Sequence, residues 1–204
     1  MTAIAEKNPR WYDTARKARM EARPFASEML TDWLLVRRKA VADAARVVEF
    51  CKTLPFVRAI PDDARSCDVI ELRTVMNLPG VADLDAGLYK AFADVMADLM
   101  ADNPFVNVKR DEGYAIMRYG PGDSCGIHSD TWQDLQVSQR VVSGIITLND
   151  DFVGGELMFP RQGVVIRPEA GMIIMFPASH AFPHEVLPVT SGYRYAVVTW
   201  MGAK

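Results

Sequence analysis

From Val106 onward, short apolar runs alternate with clusters of Gly, Pro, Asn and Asp. The runs are Tyr114–Tyr119, Arg140–Leu148, Glu156–Phe159, Val164–Arg167, Met172–Phe176, Glu185–Val189 and Tyr193–Trp200. Each is too short for a stable helix and is bounded by turn-forming residues. About seven or eight such strands in succession predict an antiparallel sandwich or jelly roll.

The first part of the chain has a different texture. From about Pro24 to Leu54, Met29, Leu30, Trp33, Leu34, Val41, Ala44, Ala45, Val48 and Cys51 recur near helical spacing, which predicts a helix. Asp68 to Met76 reads as a strand, broken by Asn77-Leu78-Pro79-Gly80. Asp83 to Met100 reads as a second helix. Leu84, Leu88, Phe92, Val95, Met96 and Leu99 form its apolar stripe, and Asn103-Pro104 ends it. The expected architecture is α+β: a jelly-roll core with flanking N-terminal helices. It is one domain over residues 1–204, with 1–105 as mainly helical support and 106–204 as the β-core.

Composition narrows the function classes. The chain has 204 residues, with 23 Lys and Arg against 26 Asp and Glu, for a net charge of −3. That balance gives no general attraction to phosphate, so nucleic acid is not favoured as a partner. The basic cluster Arg16, Lys17, Arg19 and Arg23 reads as a solvated helix face. Three cysteines without a Cys-x-x-Cys pair argue against a disulfide framework and for a reducing compartment. No leader-like start and no long uncharged apolar run is visible, so a cytoplasmic location away from membranes is expected.

The chain holds only three histidines, His128, His180 and His184. All lie in the β-rich part. A His-x-Asp triplet such as His128-Ser129-Asp130 is common by chance. On a strand, however, residues two apart share a face, so His128 and Asp130 can both project into one barrel mouth. A distant strand must then supply a third ligand. His180 and His184 both qualify by type; Pro183 argues against a helix that would let them chelate together. His184 is favoured because Arg194 follows on the next strand, in the apolar setting Tyr195-Ala196-Val197-Val198. A buried arginine needs an anion, and its fork suits a carboxylate. Two imidazoles and one carboxylate can hold one face of a ferrous ion and leave positions open for other ligands.

An ordered series of motifs extends this constellation. It runs Arg118-Tyr119-x-x-Gly122, His128-x-Asp130, Arg140, Leu148-Asn149-Asp150 and Gly154-Gly155-Glu156-Leu157-x-Phe159-Pro160. It continues with Pro168-x-x-Gly171, Phe176-Pro177 and His184-x-Val186-x-Pro188-Val189-x-x-Gly192-x-Arg194. Over about residues 113–202 the chain resembles the Fe(II)- and 2-oxoglutarate-dependent dioxygenase superfamily, in its prolyl 4-hydroxylase-like branch. It departs from many relatives in having Arg194 where lysine is frequent, and Cys125 where tyrosine is frequent.

The resemblance implies a double-stranded β-helix and a single catalytic domain. It implies iron ligation by His128, Asp130 and His184, and a salt bridge from Arg194 to the C5 carboxylate of 2-oxoglutarate. Tyr119 would touch the cosubstrate, and Thr147 and Trp200 would face the same pocket. Fe(II), 2-oxoglutarate and O2 would be the cofactors, with ascorbate as a candidate reductant. The implied reaction is hydroxylation of an aliphatic C–H bond, with a prolyl residue in a peptide or protein as the leading substrate. Asp130 favours hydroxylation over halogenation, because halogenating relatives lack that carboxylate. A free amino acid or small metabolite is the alternative substrate. A further alternative is a three-histidine cupin-type oxygenase using His128, His180 and His184 without 2-oxoglutarate. Trp132, Gln133, Asp134 and Gln136 would line the entrance, and Arg161 could meet a substrate.

Overall fold

The computed structural model describes residues 28–59, 65–103, 105–131 and 140–203. Its strands are β1 (Glu28–Thr31), β2 (Leu34–Arg37), β3 (Val57–Arg58), β4 (Arg65–Ser66), β5 (Asp68–Glu71), β6 (Arg110–Asp111), β7 (Ala115–Tyr119) and β8 (Ser124–His128). They continue with β9 (Arg140–Thr147), β10 (Val153–Gly154), β11 (Leu157–Phe159), β12 (Val164–Ile166), β13 (Met172–Pro177), β14 (His184–Val186), β15 (Val189–Ser191) and β16 (Arg194–Gly202). The large sheet has the order β1-β2-β13-β9-β16-β7-β5-β3, with β6 on β16. The small sheet has the order β12-β11-β14-β8-β4. Every pairing is antiparallel, and a short β10–β15 ribbon completes the expected two-sheet jelly roll.

The large sheet is covered on both faces, so its central strands read as continuous apolar runs. Alternate side chains divide between two cores. Ile116, Ile146, Ile173, Met175, Val197 and Met201 pack with Leu88, Phe92, Val95, Met96 and Leu99 of the long helix Val81–Asp102. Met117, Ile145, Met172, Ile174, Phe176 and Ala196 face the small sheet, where Cys125, Leu157, Phe159 and Val186 meet them. Helix and sheet approach closely at Gly144. A Cβ there would sit 2.7 Å from Phe92 Cε1, so only glycine fits without displacing the Phe92 ring.

The long helix matches its sequence pattern, running from Val81 to Asp102. The helix expected from Pro24 to Leu54 does not form as such. Residues 24–27 lie outside the described residues. Glu28–Arg37 is a β-hairpin turned at Trp33, whose φ is +72°, and helix occupies only Ala44–Cys51. Leu34-Leu35-Val36 is apolar at consecutive positions, so it fits either period. Tertiary pairing decides: β2 pairs with β13, placing Leu35 in the helix-side core and Leu34 and Val36 in the other. Arg37 ties this hairpin to the long helix through Asp98 and the Asp94 carbonyl. The strand expected at Asp68–Met76 stops at Glu71 and becomes a 3-10 turn at Leu72–Thr74. The β-architecture thus begins well before residue 106, and β4 even joins the small sheet. The basic cluster Arg16–Arg23 lies outside the described residues. No helix among the described residues is long and apolar enough to cross a membrane.

Candidate active site

The sheets set the site through strand register. In the small sheet His184, the first residue of β14, lies directly opposite His128, the last residue of β8. Their ring centroids are 4.4 Å apart. Asp130 follows two residues after His128, with Oδ1 3.6 Å from His128 Nε2 and Oδ2 3.7 Å from His184 Nε2. The three ligating atoms lie within 4.8 Å of one another. His180, by contrast, is exposed, and its Nδ1 lies 3.4 Å from Ser129 Oγ. The three-histidine alternative therefore fails on placement, because Asp130 occupies the position it would assign to His180.

Hydrogen bonds orient each ligand. His128 Nδ1 lies 2.8 Å from the Gly126 carbonyl, and His184 Nδ1 lies 3.1 Å from the Phe182 carbonyl. A carbonyl only accepts, so each Nδ1 carries a proton and each Nε2 is aimed at the centre, where it offers a lone pair when unprotonated. Ser143, on β9 of the large sheet, donates to Asp130 Oδ2 at 2.6 Å. Two imidazole Nε2 atoms and a carboxylate converge, which is the donor set a borderline-hard dication requires.

The two imidazoles titrate differently. Burial pushes the His184 pKa down, against the pull of Asp130. Burial also opposes charge on His128, but Cys125, the Gly126 carbonyl and Asp130 outweigh it and push the pKa up to about 9. The contrast follows Cys125, whose Sγ lies 3.7 Å from His128 Nδ1 and which acts on His128 and not on His184.

The triad opens into a cavity whose wall includes Met117, Tyr119, Cys125, Ser143, Trp200 and Arg65. Arg194 stands next to Tyr119 across the β7–β16 pairing, with Cζ 5.2 Å from the Tyr119 ring centroid. Arg194 is 1% exposed, yet its Nε and Nη2 have no hydrogen-bond partner among the described residues. Burial pushes its pKa down. An unanswered guanidinium in the interior is costly unless an anion completes it, so these residues fit an anionic cosubstrate. Gly155 makes room for the arginine stem, since a Cβ there would lie 3.0 Å from Arg194 Cδ.

The other expected residues fall in different places. Tyr119 lines the cavity and hydrogen-bonds Met117 Sδ at 3.3 Å. Trp200 lines it and lies under Arg140, 3.8 Å from its ring centroid. Thr147 does not line it; its hydroxyl is used on the Glu169 carbonyl. Arg161 is exposed and outside the wall. Trp132, Gln133, Asp134 and Gln136 lie outside the described residues. Sequence reasoning missed Ser143 and Arg65 as site residues. Ser143 could have been found by its parity with Ile145 on β9; Arg65 carried no signal.

A family model described as the 2OG-Fe(II) oxygenase superfamily matches residues 114–202. Prolyl 3-hydroxylase 3 of Mus musculus is 34% identical over 87 residues, covering 38% of this chain but only 12% of the mouse protein. A PKHD-type hydroxylase of Alteromonas mediterranea is 28% identical over 137 residues, covering 60% of this chain and 59% of that protein. Among solved structures, a viral collagen prolyl hydroxylase from Paramecium Bursaria Chlorella virus-1, in complex with 2OG, superposes with a TM-score of 0.66 at 19% identity. It covers 86% of this chain and all of that one. A Pseudomonas putida prolyl-4-hydroxylase gives 0.61 at 19% identity, over 96% of this chain and all of that one. At such identities these two similarities speak for the fold. The ordered triad, the buried arginine and the family match converge on one conclusion: residues 114–202 of this chain are similar to the 2OG-Fe(II) oxygenase superfamily, and their donor set fits a metal ion.

Proposed function

We propose that this chain is a dioxygenase that hydroxylates an aliphatic C–H bond of a prolyl residue in a peptide or protein. The observation that carries this reading is the pairing of a convergent His-Asp-His triad with a buried arginine lacking an anion. The prolyl 3-hydroxylase among the named relatives supports the prolyl substrate class, and the PKHD-type hydroxylase supports hydroxylation.

In this reading His128, Asp130 and His184 hold Fe(II), and Arg194 holds the far carboxylate of 2-oxoglutarate. When bound, this pair supplies the oxidation: one atom of O2 enters the C–H bond as a hydroxyl, and the other enters succinate as CO2 departs. The backbone carbonyls of Gly126 and Phe182 keep both Nε2 atoms aimed at the metal. Ser143 fixes the Asp130 carboxylate. Tyr119 packs beside the arginine, Trp200 forms part of the cavity wall, and Thr147 supports its strand from outside that wall. Ascorbate is proposed as the reductant that keeps the iron ferrous. Free thiols at Cys51, Cys67 and Cys125 support a reducing, cytoplasmic setting.

The test is succinate release from 2-oxoglutarate by Fe(II)-loaded protein, with prolyl peptides and free amino acids as substrates and mass spectrometry of the products. The expected result is Fe(II)-dependent succinate and a product heavier by one oxygen atom. His184→Ala and Asp130→Ala should each lower turnover roughly a thousandfold or more. Absence of succinate from folded, iron-loaded protein overturns the reading.

A further inference from the structure

We propose that Arg65 is a second anion anchor in this cavity and that it binds a carboxylate of the primary substrate. This rests on the reading of the cavity as a 2-oxoglutarate site. Arg65 belongs to β4, where it pairs with Cys125 of β8. It therefore lines the cavity from the small sheet, whereas Arg194, on β16 of the large sheet, lies behind the cavity wall beside Tyr119. Arg65 Nε is buried and has no hydrogen-bond partner among the described residues. Among the described residues the side chains that act on it most strongly are Cys125, which it also meets in a hydrogen bond, Tyr119 and Cys67.

Charge accounting separates the two arginines. The iron dication, Asp130, Arg194 and the 2-oxoglutarate dianion sum to neutrality. Arg65 then leaves one positive charge in a partly buried wall, where an unbalanced charge is unfavourable. The neighbouring cation Arg140 does not share this position, because it pairs with Glu112 at 2.6 Å. A monoanion on the primary substrate restores balance. Arg65 thus selects a molecule with a carboxylate near the reacting carbon: a free amino acid, a C-terminal prolyl residue, or a prolyl residue beside an acidic one. An internal prolyl residue without such a neighbour leaves Arg65 unanswered.

The experiment is calorimetric binding to Mn(II)-loaded protein, where no turnover occurs. 2-Oxoglutarate is titrated first. N-acetyl-L-proline is then compared with its neutral amide, and an acidic-flanked prolyl peptide with its neutral counterpart. In the wild type at least one acid should bind about tenfold or more tightly than its neutral partner, as expected for a charge-assisted bidentate contact. Arg65→Gln should abolish that preference and leave 2-oxoglutarate affinity within about twofold, while Arg65→Lys keeps part of it. Which pair shows the preference identifies the carboxylate as terminal or side-chain. Equal binding of acid and neutral forms, weak or strong, overturns the proposal. So does an Arg65→Gln protein that loses 2-oxoglutarate as severely as the acid, because Arg65 would then belong to the cosubstrate. Wild-type protein that binds no 2-oxoglutarate with Mn(II) overturns instead the reading beneath it.

Discussion

The two faces of the large sheet come from the same strands and are built for different ends. The face toward the long helix is apolar at nearly every position, from Ile116 through Ile146, Ile173 and Val197. The face toward the small sheet carries Tyr119, Ser143, Thr147 and Arg194 among its apolar residues, all of them buried. Polar side chains on a buried face are expensive. Ser143 and Thr147 are answered within the protein, by Asp130 and by the Glu169 carbonyl. Arg194 is not answered. One face therefore contributes stability, and the other gives up stability to create a binding site.

Several substitutions would break or sharpen that contrast. The largest effect on stability is expected from Phe92→Ala on the helix side. Phe92 is fully buried, stacks on Tyr114 with centroids 5.7 Å apart and covers Gly144. Its loss should cost about 3–5 kcal/mol in denaturant unfolding, while succinate release per folded molecule is retained. Loss of activity with unchanged stability would reverse the assignment of faces.

Arg194→Met should do the opposite. Replacing an unanswered buried charge with an apolar side chain of similar length should leave stability unchanged or raise it by about 1–4 kcal/mol. At the same time 2-oxoglutarate binding should collapse. A destabilised variant that still binds 2-oxoglutarate would show that this face serves packing. Ser143→Ala should lower metal affinity about 10- to 100-fold, read by competition with a chelator, with little change in melting temperature.

Asp123 holds the two sheets together and gives the smallest effect. It bonds Arg58 of β3 at 2.5 Å and Ser66 of β4 at 2.9 Å, and accepts the Gly120 amide at 2.9 Å. The Arg58 hydrogen bond is the main force lowering its pKa from 3.8 to about 2. A lowered carboxylate pKa stabilises the fold fully above the ordinary value and loses that contribution as pH falls towards about 2. Arg58 is half exposed, so Asp123→Asn should cost about 1–2 kcal/mol near neutral pH. The gap between variant and wild type should close between pH 3.8 and about 2. A gap that persists through that range would mean the carboxylate charge is not its source.

Much of this was legible in the sequence for identifiable reasons. Most strands from Ala115 onward could be read because Gly, Pro, Asn and Asp separate them. The long helix could be read because Leu88, Phe92, Val95, Met96 and Leu99 keep one period. His128, Asp130 and His184 could be grouped because the motifs around them occur in a fixed order, and the structure brings those three together. The β1–β2 hairpin could not be read, since a contiguous Leu34-Leu35-Val36 satisfies helix and strand alike until β13 is there to pair with it. Strand β8 was missed because Ser124-Cys125-Gly126 is weakly apolar and β-pairing alone defines it. Ser143 was within reach through its parity with Ile145, whereas Arg65 becomes visible only when the facing sheet is known.

The backbone carbonyls that accept from His128 and His184 have an evolutionary consequence. Each histidine takes its orientation from a main-chain oxygen two residues upstream, at Gly126 and Phe182. Main-chain oxygens are not changed by substitution. The intervening Ile127 and Pro183 can therefore vary in side chain without turning either imidazole, provided the strand register holds. The metal triad is insulated from mutation in its own strands. A lineage can redraw the walls of the cavity, and so change what it admits, without turning either imidazole away from the centre.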